Sequence, residues 1–580
     1  MSDLPPTIEP RDPAFLMRPE RLAALQPSRF SASRSLVSTM LRNGWSVTPQ
    51  RLELDDRGNG TAVYRVQTHA GVLSFVAFSS EPRFVDRTPR IIGRSWDMVG
   101  ALLEGEADPG RVEQTRAELP KLYAGRAAPG TLVWCRSNRS LRAFEHAVEA
   151  LTAGRQPGLG RLREVGYLMR NTGLDANGTF GTRTYLSYGP DHPLGAPYHA
   201  QMLTAYLMRE FSFDLCDHLA RAATPTAARL DPALRRYLGL GNGSALGLVL
   251  FVANHPRMVH RWLQVREEAL AQARRLTPPA GDPAYGRLTD LLDEAIVYRE
   301  QDPMRYGVFP DGQRLAAELR TVRDLAAELR DHGTVRGARP VRPFEALRVA
   351  IEGTVTSETE EILNALLMEL LPDTADEAFG RLIVDERLVG DPGMTVREFG
   401  AMLRGPYGWA HDARLAGEAG RTRVWYKSRA AEEPRSGPRE QFPGGFDLSV
   451  DVPGDVRRLS RLMERYDVRT RVGRVLFDHP EERAAVERLQ ALRDQPYALP
   501  RMDMLDMDFV PVHIIRLANA AFYGLDRTKD FLGRTLRGLI FQGAPARDDL
   551  AGKETGPWWH PSEPDFPDLS DLQDSGMTRD

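Results

Sequence analysis

The sequence predicts an α+β fold, predominantly α-helical, and three observations carry that reading. First, most segments beyond residue 140 repeat apolar residues at helical spacing, several behind good N-terminal caps. Second, TAVYRVQ (61–67) and VLSFVAFS (72–79) are β-branched and aromatic and flank THAG, which reads as a β-hairpin. Third, the longest apolar run, Ala245 to Ala253, falls far short of the ~20 residues a bilayer span needs. The expected architecture is a small N-terminal α+β unit holding the hairpin, then a helical core and a helical C-terminal half.

Composition bounds the function. A chain of 580 residues implies several domains, and 42% hydrophobic with 27% charged residues is ordinary for a soluble protein. A net charge of −3 disfavours a generic nucleic-acid binder, which carries a basic face. Lys121, Lys427, Lys529 and Lys553 are the only lysines among 76 basic residues, so arginine supplies nearly all the positive charge. A GC-rich genome is the leading explanation of the bias, and the functional one is that arginine forks suit carboxylate or phosphate ligands. Cys135 and Cys216 make neither a disulfide framework nor a CxxC site and read as buried thiols. The start, MSDLPPTIEPRDP, lacks the order of a signal peptide. The expectation is a cytoplasmic protein with no membrane or nucleic-acid partner.

The elements follow in order. Residues 1–60 form a basic arm in which Arg11, Arg18, Arg21, Arg29, Arg34 and Arg42 oppose Asp12 and Glu20, with a short helix over Ser33–Asn43. Residues 61–160 hold the hairpin, a strand over Gly130–Cys135 and a helix over Ser140–Leu151, closed by GRQPGLGR. Residues 161–275 are a histidine-rich helical core. Residues 276–345 read as a loop-rich connector with helices near 286–300 and 312–331. In 346–543 a capping box, Ser357-x-x-Glu360, precedes ILNALLMELL. Helices fit 374–386, 395–404, 455–466, 480–494 and 512–523, with a short strand at 423–426. Residues 544–580 form an acidic, flexible tail in which Trp558 and Trp559 pin one point.

The candidate site lies in 166–262, which hold five of the twelve histidines. In the helix over 198–221, Leu203, Tyr206, Leu207 and Phe211 define an apolar arc. Glu210, Asp214, Asp217, His218 and Arg221 project into the same arc. Glu210, Asp214 and His218 follow i, i+4, i+8 spacing, so they form one row able to transfer protons or hold a metal. A structural network with neighbouring arginines is the competing account.

Downstream, NHPRMVHRW starts a helix at Pro256 with Asn254 as cap. His255 and His260, with His218, are candidate ligands of a divalent ion. The recurrence of Asp478-His479-Pro480 marks X-His-Pro as partly a helix-start device. Glycines 239, 241, 243 and 247 match neither a dinucleotide fingerprint nor a P-loop. They read as the stop of a helix ending at Leu238, or as an amide-rich turn that binds an anion around Asn242. RNTGLDANGTFGTR is a tight turn, not a calcium loop, since its glycine falls at the fourth position. Arg170 and Arg183 flank it and are candidates to clamp a carboxylate. Farther on, Lys427, Arg429 and Arg435 surround Trp425 and Tyr426. Tyr407 and His411 suit a pocket wall, and His513 reads as a core histidine.

These readings combine into an expected enzyme acting on a small anionic molecule by acid–base or metal-assisted hydrolysis or elimination. Glu210, Asp214 and His218 would be catalytic, and Arg170, Arg183 and Asn242 would bind substrate. His218, His255 and His260 would hold a metal, and no motif calls for a nucleotide or redox cofactor. The alternative is a non-catalytic scaffold that uses the basic arm and acidic tail as partner surfaces.

Overall fold

The computed structural model describes residues 8–16, 21, 24–26, 28–81, 96–119, 130–172, 188–189, 191–242, 256–300, 311–382, 390–412, 423–428, 435–438, 446–450, 452–493, 519–524 and 538–550. The fold is α+β and mostly helical, but its β-structure exceeds the expected hairpin. An eight-stranded sheet contains β1 (Ser46–Leu54), β2 (Gly60–Thr68), β3 (Gly71–Ser79), β4 (Met98–Glu104), β5 (Thr131–Arg139), β6 (Tyr167–Thr172) and β7 (Gly239–Asn242) in that order. A late strand, here called β11 (Gly538–Ile540), adds to the edge beyond β7. Between them in the chain, β8 (Arg423–Ser428), β9 (Arg435–Pro438) and β10 (Phe446–Val450) form a separate three-stranded sheet.

The hairpin lies where its alternation puts it, with Val63 opposite Val76 and Tyr64 opposite Phe75. Every pair in the large sheet is antiparallel except β6–β7. A parallel pair needs a crossover, and here it contains the long helix His199–Ala223. The sheet curls around this central helix, which packs against β3 to β7. The curl brings β1, at one edge, against the Arg547–Asp549 turn that follows β11 at the other. Tyr64, Val66, Phe75, Met98 and Leu102 belong to the main core on the helix side. Val63, Val76, Phe78, Ala101, Leu103 and Trp134 form a second core with Val112 of the helix Pro109–Glu118.

A helical half packs beyond the sheet. Pro283–Glu300 and Gly312–His332 lie against each other, and Pro256–Arg274 lies against Ser357–Met368 and Pro372–Gly380. The cap at 357 is shifted by one residue: Thr356 is the N-cap, and Glu360 pairs with Arg21 instead of closing a box. The capping box of this half is Thr395–Glu398, at the head of Val396–Arg404. The helix expected over 480–494 is a 3₁₀ turn, Pro480–Glu482, followed by Arg483–Leu492. Asn519–Tyr523 is a π turn, and 512–518 lie outside the described residues.

The basic arm packs on its own protein. Arg11 bonds both Glu267 and Glu361, Arg29 bonds Glu369, and Arg42 reaches Asp376 at 2.5 Å. Of the expected tail, Ala544, Ala546 and Leu550 are buried in the body, and 551–580 lie outside the described residues.

Candidate functional site

Sequence periodicity predicts a one-faced amphipathic helix, but His199–Ala223 is buried nearly all round. The reason is the curled sheet, which faces the helix on several sides and leaves no broad solvated stripe. Every polar group on the inner turns must therefore find a partner. Arg209 is fully buried, and its guanidinium donates to the carbonyls of Leu238 (2.7 Å), Arg235 (2.5 Å), Ala544 (3.0 Å) and Pro545 (3.2 Å). It thereby ties off the helix Pro232–Tyr237 and holds the segment after β11 against the central helix. Burial lowers its pKa, and adjacent Glu210 opposes that shift.

One turn on, Asp214 joins three parts of the chain. Tyr64 donates from β2 to Oδ2 at 2.7 Å, and Arg547 binds both carboxylate oxygens, with Nη2 2.8 Å from Oδ1. Burial raises the Tyr64 pKa and the charge of Asp214 raises it further, so its hydroxyl remains a donor. Burial works against the Arg547 charge, but the hydrogen bond and charge of Asp214 outweigh it and raise its pKa.

Glu210 lies beneath this cluster and is fully buried. Its Oε1 is 3.3 Å from Arg209, while Oε2 has no hydrogen-bond partner. Burial raises its pKa, and Asp214 adds to the rise, against the lowering effect of Arg209 and Arg547. Asp217, also in the polar arc, is structural: it accepts from Leu230 N (2.9 Å) and Arg235 (2.5 Å), bracing the chain after the helix.

The predicted row divides at its end. Glu210 and Asp214 share the cluster with Tyr64 and Arg547. His218 instead places Nε2 3.0 Å from the Asp55 carbonyl in the β1–β2 turn. His260 belongs to Pro256–Arg274, where burial lowers its pKa and Asp12 of the arm opposes the shift. His218 and His260 thus have different neighbours, and His255 lies outside the described residues, as does Arg183. Among the described residues, no three His, Cys, Asp or Glu side chains group to hold a metal ion.

Arg170 lies on β6 opposite Asn138, and Asn242 lies on β7 opposite Asn171. The glycine run is corrected here. A helix does stop at Tyr237, but Gly239–Asn242 is a strand and not a loose amide-rich turn. A Cβ at Gly241 would lie 2.7 Å from the Tyr167 ring, and one at Gly239 2.7 Å from the Ile540 carbonyl. Close approach of strands accounts for both glycines, and Gly243 and Gly247 lie outside the described residues.

Cys216 is a core thiol whose pKa burial raises strongly, as the sequence suggested. Nothing matches this chain among family models, curated proteins or solved structures. The two members of the Asp214 cluster missed in the sequence are Tyr64 and Arg547. Tyr64 reads as an ordinary aromatic of a hairpin, and Arg547 lies 333 positions from the carboxylate it binds. No local signal connects them.

Proposed function

We propose that this protein is an enzyme that transfers a proton on a small anionic substrate, in a hydrolysis or an elimination. The observation that supports this reading most is Glu210: a fully buried carboxyl with one uncommitted oxygen, directly beneath Asp214, Tyr64 and Arg547. A carboxyl whose pKa is raised by burial is better suited to give or take a proton than a solvated one. Glu210 is the proposed acid–base residue. Tyr64, held protonated, orients Asp214, and Arg547 supplies the positive charge that an anion seeks. The side chains of Arg547 and Asp214 are 12% and 11% exposed, whereas Glu210 is fully buried. The scaffold reading has less support, because Arg11, Arg21, Arg29 and Arg42 of the basic arm are engaged by the protein's own carboxylates.

The test is a panel of small carboxylate esters, phosphate esters and 2- and 3-hydroxy acids, followed by mass spectrometry as loss of substrate. The wild-type chain should turn over at least one member. Glu210→Gln, nearly isosteric, should stay folded and lose roughly 10²- to 10⁴-fold in kcat, the usual contribution of general acid–base catalysis. Full turnover by Glu210→Gln, or no turnover of any member by the wild-type chain, overturns the reading.

A further inference from the structure

The end of the curled sheet carries a second polar feature, which does not depend on the acid–base cluster. One rung of backbone pairing runs across seven strands: Gly60 to Ser79, Ser79 to Met98, Met98 to Ser137, Ser137 to Asn171, Asn171 to Asn242, and Asn242 to Gly538. Gly60 opens β2, Ser79 closes β3, Met98 opens β4, Asn242 closes β7 and Gly538 opens β11. This rung is therefore the rim of the curl. Residues paired across strands project to one face. Met98 and Met169, the latter two residues before Asn171 on β6, belong to the main core on the helix side.

Asn171 is fully buried on this rim, yet neither its Oδ1 nor its Nδ2 has a hydrogen-bond partner. Among the described residues it is the one buried amide side chain with both atoms unmatched. Next to it, buried Ser137 gives its hydroxyl only to the Met169 thioether at 2.8 Å, a weak acceptor. Ser79, on the same rung, is also buried with an unmatched hydroxyl. Buried polar groups are almost always satisfied, and an apolar residue of the same shape would be more stable here. An amide kept in such a place fits a recognition role better than a packing role. The mouth of a curled sheet is also where small-molecule sites tend to form.

We propose that this rim binds a small molecule through a carboxamide or lactam edge, read by Asn171. The amide presents an acceptor and a donor side by side. Its complement is a group offering N–H and C=O in the same arrangement, so that Oδ1 accepts and Nδ2 donates. Nucleobases and primary carboxamides share that edge, and the same pairing logic lets Asn read adenine. Ser137 adds a hydroxyl within the same rung.

The experiment measures saturation-transfer NMR on the full chain with uracil, nicotinamide and 1,3-dimethyluracil, which lacks the N–H donors. Uracil or nicotinamide should bind, and dimethyluracil should bind at least tenfold more weakly than uracil wherever uracil binds. Binding of uracil alone assigns a nucleobase-type ligand, and binding of nicotinamide alone assigns a primary carboxamide. Asn171→Leu should abolish binding while raising the melting temperature, because it removes an unsatisfied amide. Ser137→Ala, which leaves the amide in place, should weaken binding several-fold and keeps the test valid if Asn171→Leu does not fold. The proposal is overturned if neither probe binds, if dimethyluracil binds as well as uracil, or if Asn171→Leu binds like the wild-type chain.

Discussion

His199, in the first turn of the central helix, is 2% exposed and carries a consequence for acid stability. Its Nε2 is 3.1 Å from Ser35 Oγ, and burial pushes its pKa down to about 3. The folded protein therefore binds a proton here less readily than the unfolded chain, whose histidine titrates near 6.5. The stability of the neutral form is fully present above that value and is lost as pH falls from it toward the folded pKa. Linkage between the two values gives about 2 kcal/mol lost at pH 5. His199→Gln keeps a partner for Ser35 but does not titrate. Urea unfolding at pH 7.5 and pH 5.0 should show a loss about 2 kcal/mol smaller in the variant than in the wild-type chain. Equal losses in both proteins would mean that His199 does not set the acid limit.

At the scale of elements, β7 shows what the sequence made legible and what it concealed. The hairpin, the central helix and most C-terminal helices were legible, because alternation and helical periodicity are local patterns. Strand β7 reads GLGN, with no β-branched residue, and its reason for glycine lies on other strands. Tyr167 of β6 fills the space that a Gly241 side chain would need. Gly241→Ala should cost on the order of 2 kcal/mol, as overpacked core positions do. In a Tyr167→Ala background the same substitution should cost much less, which a double-mutant cycle by urea unfolding measures. Additive costs would show that the two side chains do not compete. The candidate site was legible to the same degree. Glu210 and Asp214 stood out as carboxylates on an apolar helix, whereas their partners Tyr64 and Arg547 are joined to them only by the curl of the sheet.

At the scale of the whole molecule, the arm at the start of the chain is held by carboxylates more than 250 positions away. Arg11 donates Nε and Nη2 to Glu267 at 2.7 and 2.8 Å, and Nη1 and Nη2 to Glu361 at 2.6 and 3.0 Å. Both carboxylates are fully buried, and Arg266, buried beside them, bonds Glu267 at 2.8 Å. Burial works against the charge of Glu361, but Arg11, supported by Arg266 and Arg21, holds its pKa below the ordinary carboxylate range. Farther along, Glu369 accepts from Arg29, and Arg274 joins Glu345 to the Glu9 carbonyl of the arm. Surface ion pairs contribute little, but removing one partner of a buried set strands the other charges. Arg11→Ala leaves two buried carboxylates with only Arg266 and the more distant Arg21 (3.8 Å from Glu361), which should cost about 3–5 kcal/mol. The loss should appear as a lower melting temperature together with faster proteolysis within residues 8–42, since the arm loses its deepest anchor. Added salt should reproduce little of this effect in the wild-type chain, because buried pairs are weakly screened. An Arg11→Ala protein with unchanged melting temperature and an equally protected arm would place the hold elsewhere, in the burial of Leu16, Leu25 and Phe30.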